Sequence, residues 1–295
     1  MSGIAFFGKV PFAADFVRRG ISPPLREFEN WLHDGVADLR SAGAKWVSGR
    51  CCFLYPSSGG KTIAAVAIPS RDRIGREFPA VAGAVIETGN GGLHRSVAVL
   101  GCKRFYDEAS AAMEAHMQSD ADALWSAIQN VRPPSSTEMS DAEGQRSTLL
   151  DEESARAMED VCFAGPDDRF YGYHALRLAA RDAPPPDPRV LVCPTAGEIR
   201  YSGFWAEAIE QATQGRIPLP MLWTEGSLVV GLGRAPKSML RFGAGLGGSS
   251  SALWPLTTEY QSARERSKAA LQGQFWDDPE QKLGRLIDSI LRIQL

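Results

Sequence analysis

The chain has 295 residues, 44% of them hydrophobic, which is enough apolar content to bury one large core or two smaller ones. Thirty-two basic against 35 acidic residues give a formal net charge of -3, which excludes a sequence-wide attraction to nucleic acid or anionic membranes. No run of about 18 apolar residues occurs either, so we expect a soluble, cytoplasmic protein with no nucleic-acid partner and no membrane insertion.

The first half of the chain predicts strands followed by helices. An apolar run at residues 4–8 predicts a buried strand, and Ser22 followed by Pro23 predicts the start of an amphipathic helix. Short turns separate three further apolar runs, which predict antiparallel neighbouring strands at residues 51–55, 62–68 and 79–87. Helical spacing of apolar residues then predicts two helices, at residues 105–113 and, capped by Ser119, at residues 121–128.

The second half alternates connectors, helices and strands. Two segments rich in Pro, Ser and acidic residues predict connectors at 131–148 and 181–188, which bracket one or two helices. A strand at 189–193 and a helix at 203–214 capped by Ser202 follow, and Glu225 with Gly226 predicts the turn of a hairpin. An amphipathic helix that begins at Pro279, after Asp278 as its cap, ends the chain.

These elements predict an α/β fold, a three-layer sandwich in which helices flank a mixed, partly antiparallel central sheet. We expect an α/β domain over residues 1–256, built of two sequence halves joined by the segment 131–148, and a C-terminal helical extension over residues 257–295. The amphipathic helix of this extension either covers its own domain or binds a groove of a partner protein.

Five cysteines are spread along the chain, and the only close pair, Cys51 and Cys52, is vicinal. A vicinal pair has poor geometry for an ordinary disulfide bond. Successive side chains of a strand also point to opposite faces, so these two thiols cannot bind one metal ion together. We expect buried free thiols.

The motifs that suggest catalysis are incomplete. Residues 55–62 end like a phosphate-binding loop but carry Tyr55 where glycine is needed, and residues 243–248 match a GxGxxG pattern but are followed by Pro255 instead of a helix. The four histidines form no metal-ligand motif, and no serine lies in a GxSxG elbow. We therefore predict no catalytic residue, cofactor or metal, and a protein that is not an enzyme.

Two charged stretches remain, one following the first strand and the other joining two later strands. They supply the candidate binding residues Lys9, Asp15, Arg19, Arg71, Asp72, Arg73 and Arg76. Three interpretations stay open: an aspartate of one loop accepts hydrogen bonds from arginines and fixes the loops, the arginines bind an acidic or phosphorylated partner, or Asp15 and Asp72 form the carboxylate pair of a metal-dependent hydrolase or phosphatase-like enzyme.

The same stretches resemble a known family. Gly8-Lys9-x-Pro11-x-x-x-Asp15-Phe16-Val17-x-Arg19 and Pro69-Ser70-x-Asp72-Arg73-x-Gly75-Arg76-x-Phe78-Pro79 are similar to signatures of the TagF/ImpM family of type VI secretion-associated proteins, and a third similarity lies in residues 222–227.

The resemblance implies a compact cytoplasmic α/β fold and a regulatory role without catalysis. Family members act as post-translational repressors of type VI secretion, in part by contacting the cytoplasmic forkhead-associated scaffold protein of that system. Some members are fused to a PP2C-type phosphatase, so a kinase or phosphatase of a phosphorylation pathway is a further expected partner. The metal-binding carboxylates of such a phosphatase are missing from this sequence.

Overall fold

A computed structural model of the protein describes residues 3–46, 49–86, 93–165, 167–181, 183, 185, 187–244, 246, 250–272, 278 and 280–294. Its strands are β1 (Ala5–Gly8), β2 (Val17–Arg19), β3 (Cys51–Pro56), β4 (Thr62–Ile68), β5 (Ala80–Ile86), β6 (Arg189–Pro194), β7 (Met221–Trp223), β8 (Ser227–Leu232) and β9 (Leu253–Pro255). Its helices are α1 (Pro23–Ser41), α2 (Arg95–Gly101), α3 (Lys103–His116), α4 (Ala121–Asn130), α5 (Ser136–Glu152), α6 (Ala155–Cys162), α7 (Asp168–Ala180), α8 (Ile199–Ala212), α9 (Met239–Gly243), α10 (Gln261–Leu271) and α11 (Leu283–Leu291).

All the strands join one sheet in the order β2-β1-β5-β4-β3-β7-β8-β6-β9. Each neighbouring pair is antiparallel except β6 and β9, which are parallel. The predicted mixed sheet is therefore confirmed, as are the antiparallel β3, β4 and β5 and the hairpin of β7 and β8. Residues 56–62 form the turn of the β3–β4 hairpin, in which the Ser57 N–H donates to the Lys61 carbonyl at 2.8 Å.

Helices cover both faces of the sheet, so the three-layer arrangement is confirmed. The first face of the sheet packs against α1 and α9 and forms the first core. The second face packs against the other helices that contribute buried residues and forms the second core. Strand alternation divides neighbouring side chains between the two faces: Phe7 and Cys51 belong to the first core, and Phe6 and Cys52 to the second. All five cysteines are free and buried, as predicted.

The predicted connector over 131–148 is wrong, because most of it lies in α5. A capping box begins this helix: the Ser135 hydroxyl accepts from the Glu138 N–H, and the Glu138 carboxylate accepts from the Ser135 N–H. Only Met139, Ala142 and Leu149 are buried along its 17 residues, so the apolar periodicity that predicts a helix is weak.

Three predicted helix starts are also displaced. Asp120, not Ser119, caps α4, because its carboxylate accepts from two backbone N–H groups of the first turn. Helix α8 begins four residues earlier than predicted, which leaves Ser202 buried inside its first turn. Helix α11 begins after Lys282, and the predicted first residue, Pro279, lies outside the described residues.

The C-terminal helices pack on the domain itself. The apolar face of α11 is buried against α5, α7 and α8, with Leu283 and Leu286 both 0% exposed. Arg264 of α10 reaches the buried Asp168 of α7, with 2.5 Å between Nε and Oδ1. The alternative in which this apolar face binds a partner is therefore wrong. In the part of the chain that the structure describes, no helix is both long and apolar enough to cross a bilayer.

Candidate functional site

The two charged stretches meet at one end of the sheet. The first, residues 9–16, follows β1, and the second, residues 69–79, connects β4 to β5; β1 and β5 are antiparallel neighbours, with Phe7 opposite Val81. Gly8 has a φ of +134°, and a Cβ there would lie 2.2 Å from the Pro79 carbonyl oxygen. Only glycine fits this contact, which explains why the first motif begins with it.

Asp72 organises the second loop from within. Arg71 and Glu77 form an antiparallel bridge at its base, and the Gly75 N–H donates to the Asp72 carbonyl at 2.9 Å. Oδ1 of Asp72 accepts from the backbone N–H groups of Ile74 at 3.1 Å and Arg76 at 2.8 Å. Gly75 has a φ of +87°, which suits the tight turn. The loop is therefore a fixed hairpin built around one carboxylate.

The same carboxylate joins the two loops. Oδ2 of Asp72 accepts from Nζ of Lys9, on the first loop, and from Nε of Arg76 at 2.7 Å. The Asp72 side chain is fully buried, Lys9 is mostly buried, and Arg76 is 54% exposed. Burial alone would raise the pKa of Asp72, but the hydrogen bonds from Lys9 and Arg76 outweigh it, and the pKa lies well below its ordinary value. Asp72 is thus a charged structural centre.

Three further hydrogen bonds hold the loops together. The Arg73 N–H donates to the Ala13 carbonyl at 2.9 Å, and the guanidinium of Arg76 donates to the Ala14 carbonyl. The Ser70 hydroxyl donates to the Lys9 carbonyl at 2.6 Å. These contacts satisfy backbone carbonyls of the first loop that strand pairing leaves free.

An aromatic cluster supports the loops from below. Phe16 of the first loop and Phe78 of the second meet edge to face, 5.2 Å apart, and the His33 ring of α1 lies 4.9 Å and 4.4 Å from them. Arg18 covers Phe16 and pairs with the buried Glu29, with 2.5 Å between Nε and Oε1. Burial lowers the pKa of His33, so the ring is neutral at pH 7.

The outer side of the second loop faces solvent. Arg71, Arg73 and Arg76 are all exposed, and Ile74, at the tip, is 65% exposed. Neither the Arg71 nor the Arg73 side chain makes a hydrogen bond or ion pair with any residue that the structure describes. A fixed turn thus presents guanidinium groups around one exposed apolar side chain.

The structure places the seven predicted residues in three groups. Lys9, Asp72 and Arg76 form one cluster, and Arg71 and Arg73 lie on the same loop with outward side chains. Asp15 and Arg19 are exposed outside that cluster, and Asp15 has no hydrogen bond or ion pair with the described part of the chain. Of the two carboxylates in the hydrolase hypothesis, Asp15 is exposed, whereas Asp72 is buried and both its oxygens accept hydrogen bonds from Lys9, Arg76 and backbone N–H groups.

Sequence reasoning missed the residues beneath the loops. Glu29 is 1% exposed, and its spacing from Leu25 and Leu32 places it on the buried face of α1, which was a readable signal. His33 gave no such signal, because its role depends on Phe16 and Phe78, which are distant in sequence.

Among the described residues, one group of side chains has the ligand types that a metal needs. His94, Glu207 and Glu210 bring potential ligand atoms within 4.8 Å of one another. Glu207 is already occupied, because it accepts from both Nε and Nη2 of Arg146, at 2.8 and 2.6 Å, and from Ser96 and Gln211. The group is better explained as an ion-pair network around the buried Glu207 than as a metal site.

Comparison with known proteins finds a family match for the N-terminal part of the chain. The TagF N-terminal domain family, described as type VI secretion system-associated, matches residues 5–131, which include both charged loops. PA0076 from Pseudomonas aeruginosa PAO1, known from a crystal structure, is 17% identical, with a TM-score of 0.49 over 84% of this chain and 96% of that one. No curated protein matches. Residues 5–131 are therefore similar to the TagF N-terminal domain family, which is described as type VI secretion system-associated.

Proposed function

We propose that this protein is a post-translational repressor of a bacterial type VI secretion system, and that it acts by binding a cytoplasmic component of that system. The forkhead-associated scaffold is the partner that we propose first. The support is the family of residues 5–131, which ties the chain to type VI secretion.

The single observation that carries the mode of action is the exposed arginine loop, residues 71–76. Asp72 already fixes its backbone, so a partner would bind it without a large cost in conformational entropy. The guanidinium groups of Arg71 and Arg73 are unpaired within the described chain and suit carboxylate or phosphate groups, which arginine binds through two parallel hydrogen bonds. Exposed Ile74 would add an apolar contact at the centre.

Action without catalysis is part of the proposal. Asp72 is the buried carboxylate of the loop cluster. Its oxygens accept hydrogen bonds from Lys9, Arg76 and backbone N–H groups. It therefore has no free lone pair well placed for a metal ion or an attacking water molecule. A phosphorylation-pathway kinase or phosphatase is a second proposed partner, because the same arginines would bind a phosphorylated segment.

The test is retention of the forkhead-associated scaffold by the immobilised protein. The variant Arg71→Glu/Arg73→Glu reverses the two outward charges while leaving the Asp72 contacts in place, and we expect it to lose retention. Arg285→Glu, on the exposed side of α11, makes the same type of charge change away from the loop and serves as the control. Equal retention by both variants would remove the loop from the interface.

A further inference from the structure

A cavity of about 690 Å³ lies beside the β3–β7 pair, at the end of the sheet that also carries the charged loops. Its walls come from the start of β3, the end of β7, helix α3 and the beginning of α8. Trp223, which is 8% exposed, forms an apolar wall and meets the Tyr106 ring edge to face at 5.0 Å. The cavity is large enough for a small ligand or a long side chain.

The charges that line the cavity are unbalanced. Two cationic side chains face four carboxylates, a formal excess of two negative charges. Both cations are already committed to one of the carboxylates: Arg50 Nη1 lies 2.7 Å from Asp107 Oδ1, and Lys103 Nζ lies 2.5 Å from Asp107 Oδ2. Glu114 and Glu225 have no ion pair within the described chain.

The fourth carboxylate, Glu198, lies at the beginning of α8, 3.8 Å from Nε of Arg200. The positive end of the α8 dipole would by itself favour an anion, and the N-cap residue at that end, Glu198, already carries a negative charge. The other ionisable side chains of the lining are neutral at pH 7, since burial raises the pKa of Cys52 to about 12 and the pKa of Tyr106 well above its ordinary value. The field inside the cavity therefore favours a positive charge.

Two hydroxyl groups that border the cavity have no hydrogen-bond partner in the described chain. Thr195 is 1% exposed and Ser202 is 2% exposed, and both border the cavity. Neither side chain makes a hydrogen bond with any residue described by the structure. A hydroxyl that borders a cavity and has no protein partner can form hydrogen bonds with water or with a ligand.

We propose that this cavity is a binding site for a guanidinium or ammonium group. Glu225 and Glu114 would accept the charged N–H groups, the Thr195 and Ser202 hydroxyls would accept a further hydrogen bond, and Trp223 would contact the apolar stem of the guest. The site is distinct from the arginine loop, and the inference does not rest on the proposed function.

Isothermal titration calorimetry on the full chain tests this site with three probes: agmatine, N-acetyl-arginine amide and the uncharged N-acetyl-citrulline amide. We expect the two cations to bind and the citrulline compound to bind at least about tenfold more weakly, the loss of roughly one charge-assisted hydrogen bond. Glu225→Gln should weaken the cations by a similar factor, whereas Glu152→Gln, an exposed change on α5, should leave their affinity unchanged.

The two cationic probes also distinguish the source of the guest. Tighter binding of agmatine indicates a free small molecule, and tighter binding of the arginine amide indicates an arginine side chain of a protein partner; either result supports the site. No heat of binding with either cation at millimolar concentration would overturn the proposal. Equal affinity for the citrulline compound, or equal affinity of the Glu225→Gln variant for the cations, would do the same.

Discussion

The Cα of Gly8 faces the carbonyl of Pro79 so closely that a methyl group at Gly8 would lie 2.2 Å from that oxygen. The contact sets the spacing between the end of β1 and the start of β5, and with it the spacing of the two charged loops. The contact between Gly8 and Pro79, which are far apart in the chain, thus fixes how closely the two loops approach.

Gly8→Ala should destabilise the protein by about 2–5 kcal/mol, because alanine adds both backbone strain at a positive φ and a backbone clash. Thermal or urea unfolding measures this. Gly59→Ala, in the β3–β4 turn with nothing near its Cβ position, is the matched control and should change stability by no more than about 0.5 kcal/mol. Equal free energies of unfolding for the two variants would show that the Gly8–Pro79 contact does not require glycine.

Asp72 should contribute to stability in a pH-dependent way. Its pKa is lowered in the folded state, so the contribution is complete above the ordinary pKa of about 3.9 and is lost as the pH falls below that value. Asp72→Asn should therefore lower the melting temperature at pH 7, and the difference from the wild type should shrink below about pH 4.

Asp15→Asn is the control for Asp72→Asn, because Asp15 is exposed and has no ion pair in the described chain. We expect its melting temperature to follow that of the wild type from pH 7 to pH 3. A constant difference between Asp72→Asn and the wild type over this range would contradict the assignment of Asp72 as a paired, charged carboxylate.

Replacing only one partner of the Arg146–Glu207 ion pair should lower the free energy of unfolding. Arg146→Met should destabilise the protein by about 3–5 kcal/mol, because it leaves the buried Glu207 carboxylate without its cation. The pKa of Glu207 is lowered to about 2 by its donors, against burial, so the wild type keeps this charge to low pH. The variant's deficit should shrink as the pH falls below about 4.5, where Glu207 can become protonated.

Urea unfolding at pH 7 and pH 4 measures both effects. Glu143→Gln is the control, since Glu143 is the exposed second partner of Arg146 and should contribute at most about 1 kcal/mol. A deficit of Arg146→Met that grows on acidification would contradict the account.

Helix α11 should behave as part of the core. Leu286→Ala should cost about 2–5 kcal/mol, because the side chain is 0% exposed and its removal leaves a cavity. Asp288→Ala, on the exposed side of the same helix, should be close to neutral. If Leu286→Ala unfolds at the same urea concentration as the wild type, α11 does not pack as described.

The parts of the fold that were predictable have strong local signals. The apolar runs of β3, β4 and β5 predict strands because both faces of these strands are buried. The short turns between them, and the Glu225-Gly226 turn, restrict which strands can pair. Helix α5 was missed because its few buried residues give little periodicity, although Ser135 and Glu138 form a recognisable capping box. Strands β2 and β9 have only three residues each, and tertiary pairing alone creates them.

The sequence predicted that two charged loops form the candidate site, but not which of their charged side chains are buried and which face solvent. The sequence shows charges at fixed offsets from Gly8 and Gly75, and so indicates that the loops matter. It does not show that Asp72 and Lys9 are directed inward while Arg73 is directed outward, because that depends on the Ala13 and Ala14 carbonyls of the other loop.

The most direct test of the proposed function is the affinity of the purified protein for the forkhead-associated scaffold, measured by calorimetry at low and at physiological salt. We predict that Arg71→Glu/Arg73→Glu weakens binding at least about tenfold, that the wild-type affinity falls as salt is raised, and that Arg285→Glu binds like the wild type. Wild-type affinity in the double variant, with its melting temperature unchanged, would contradict binding through the arginine loop.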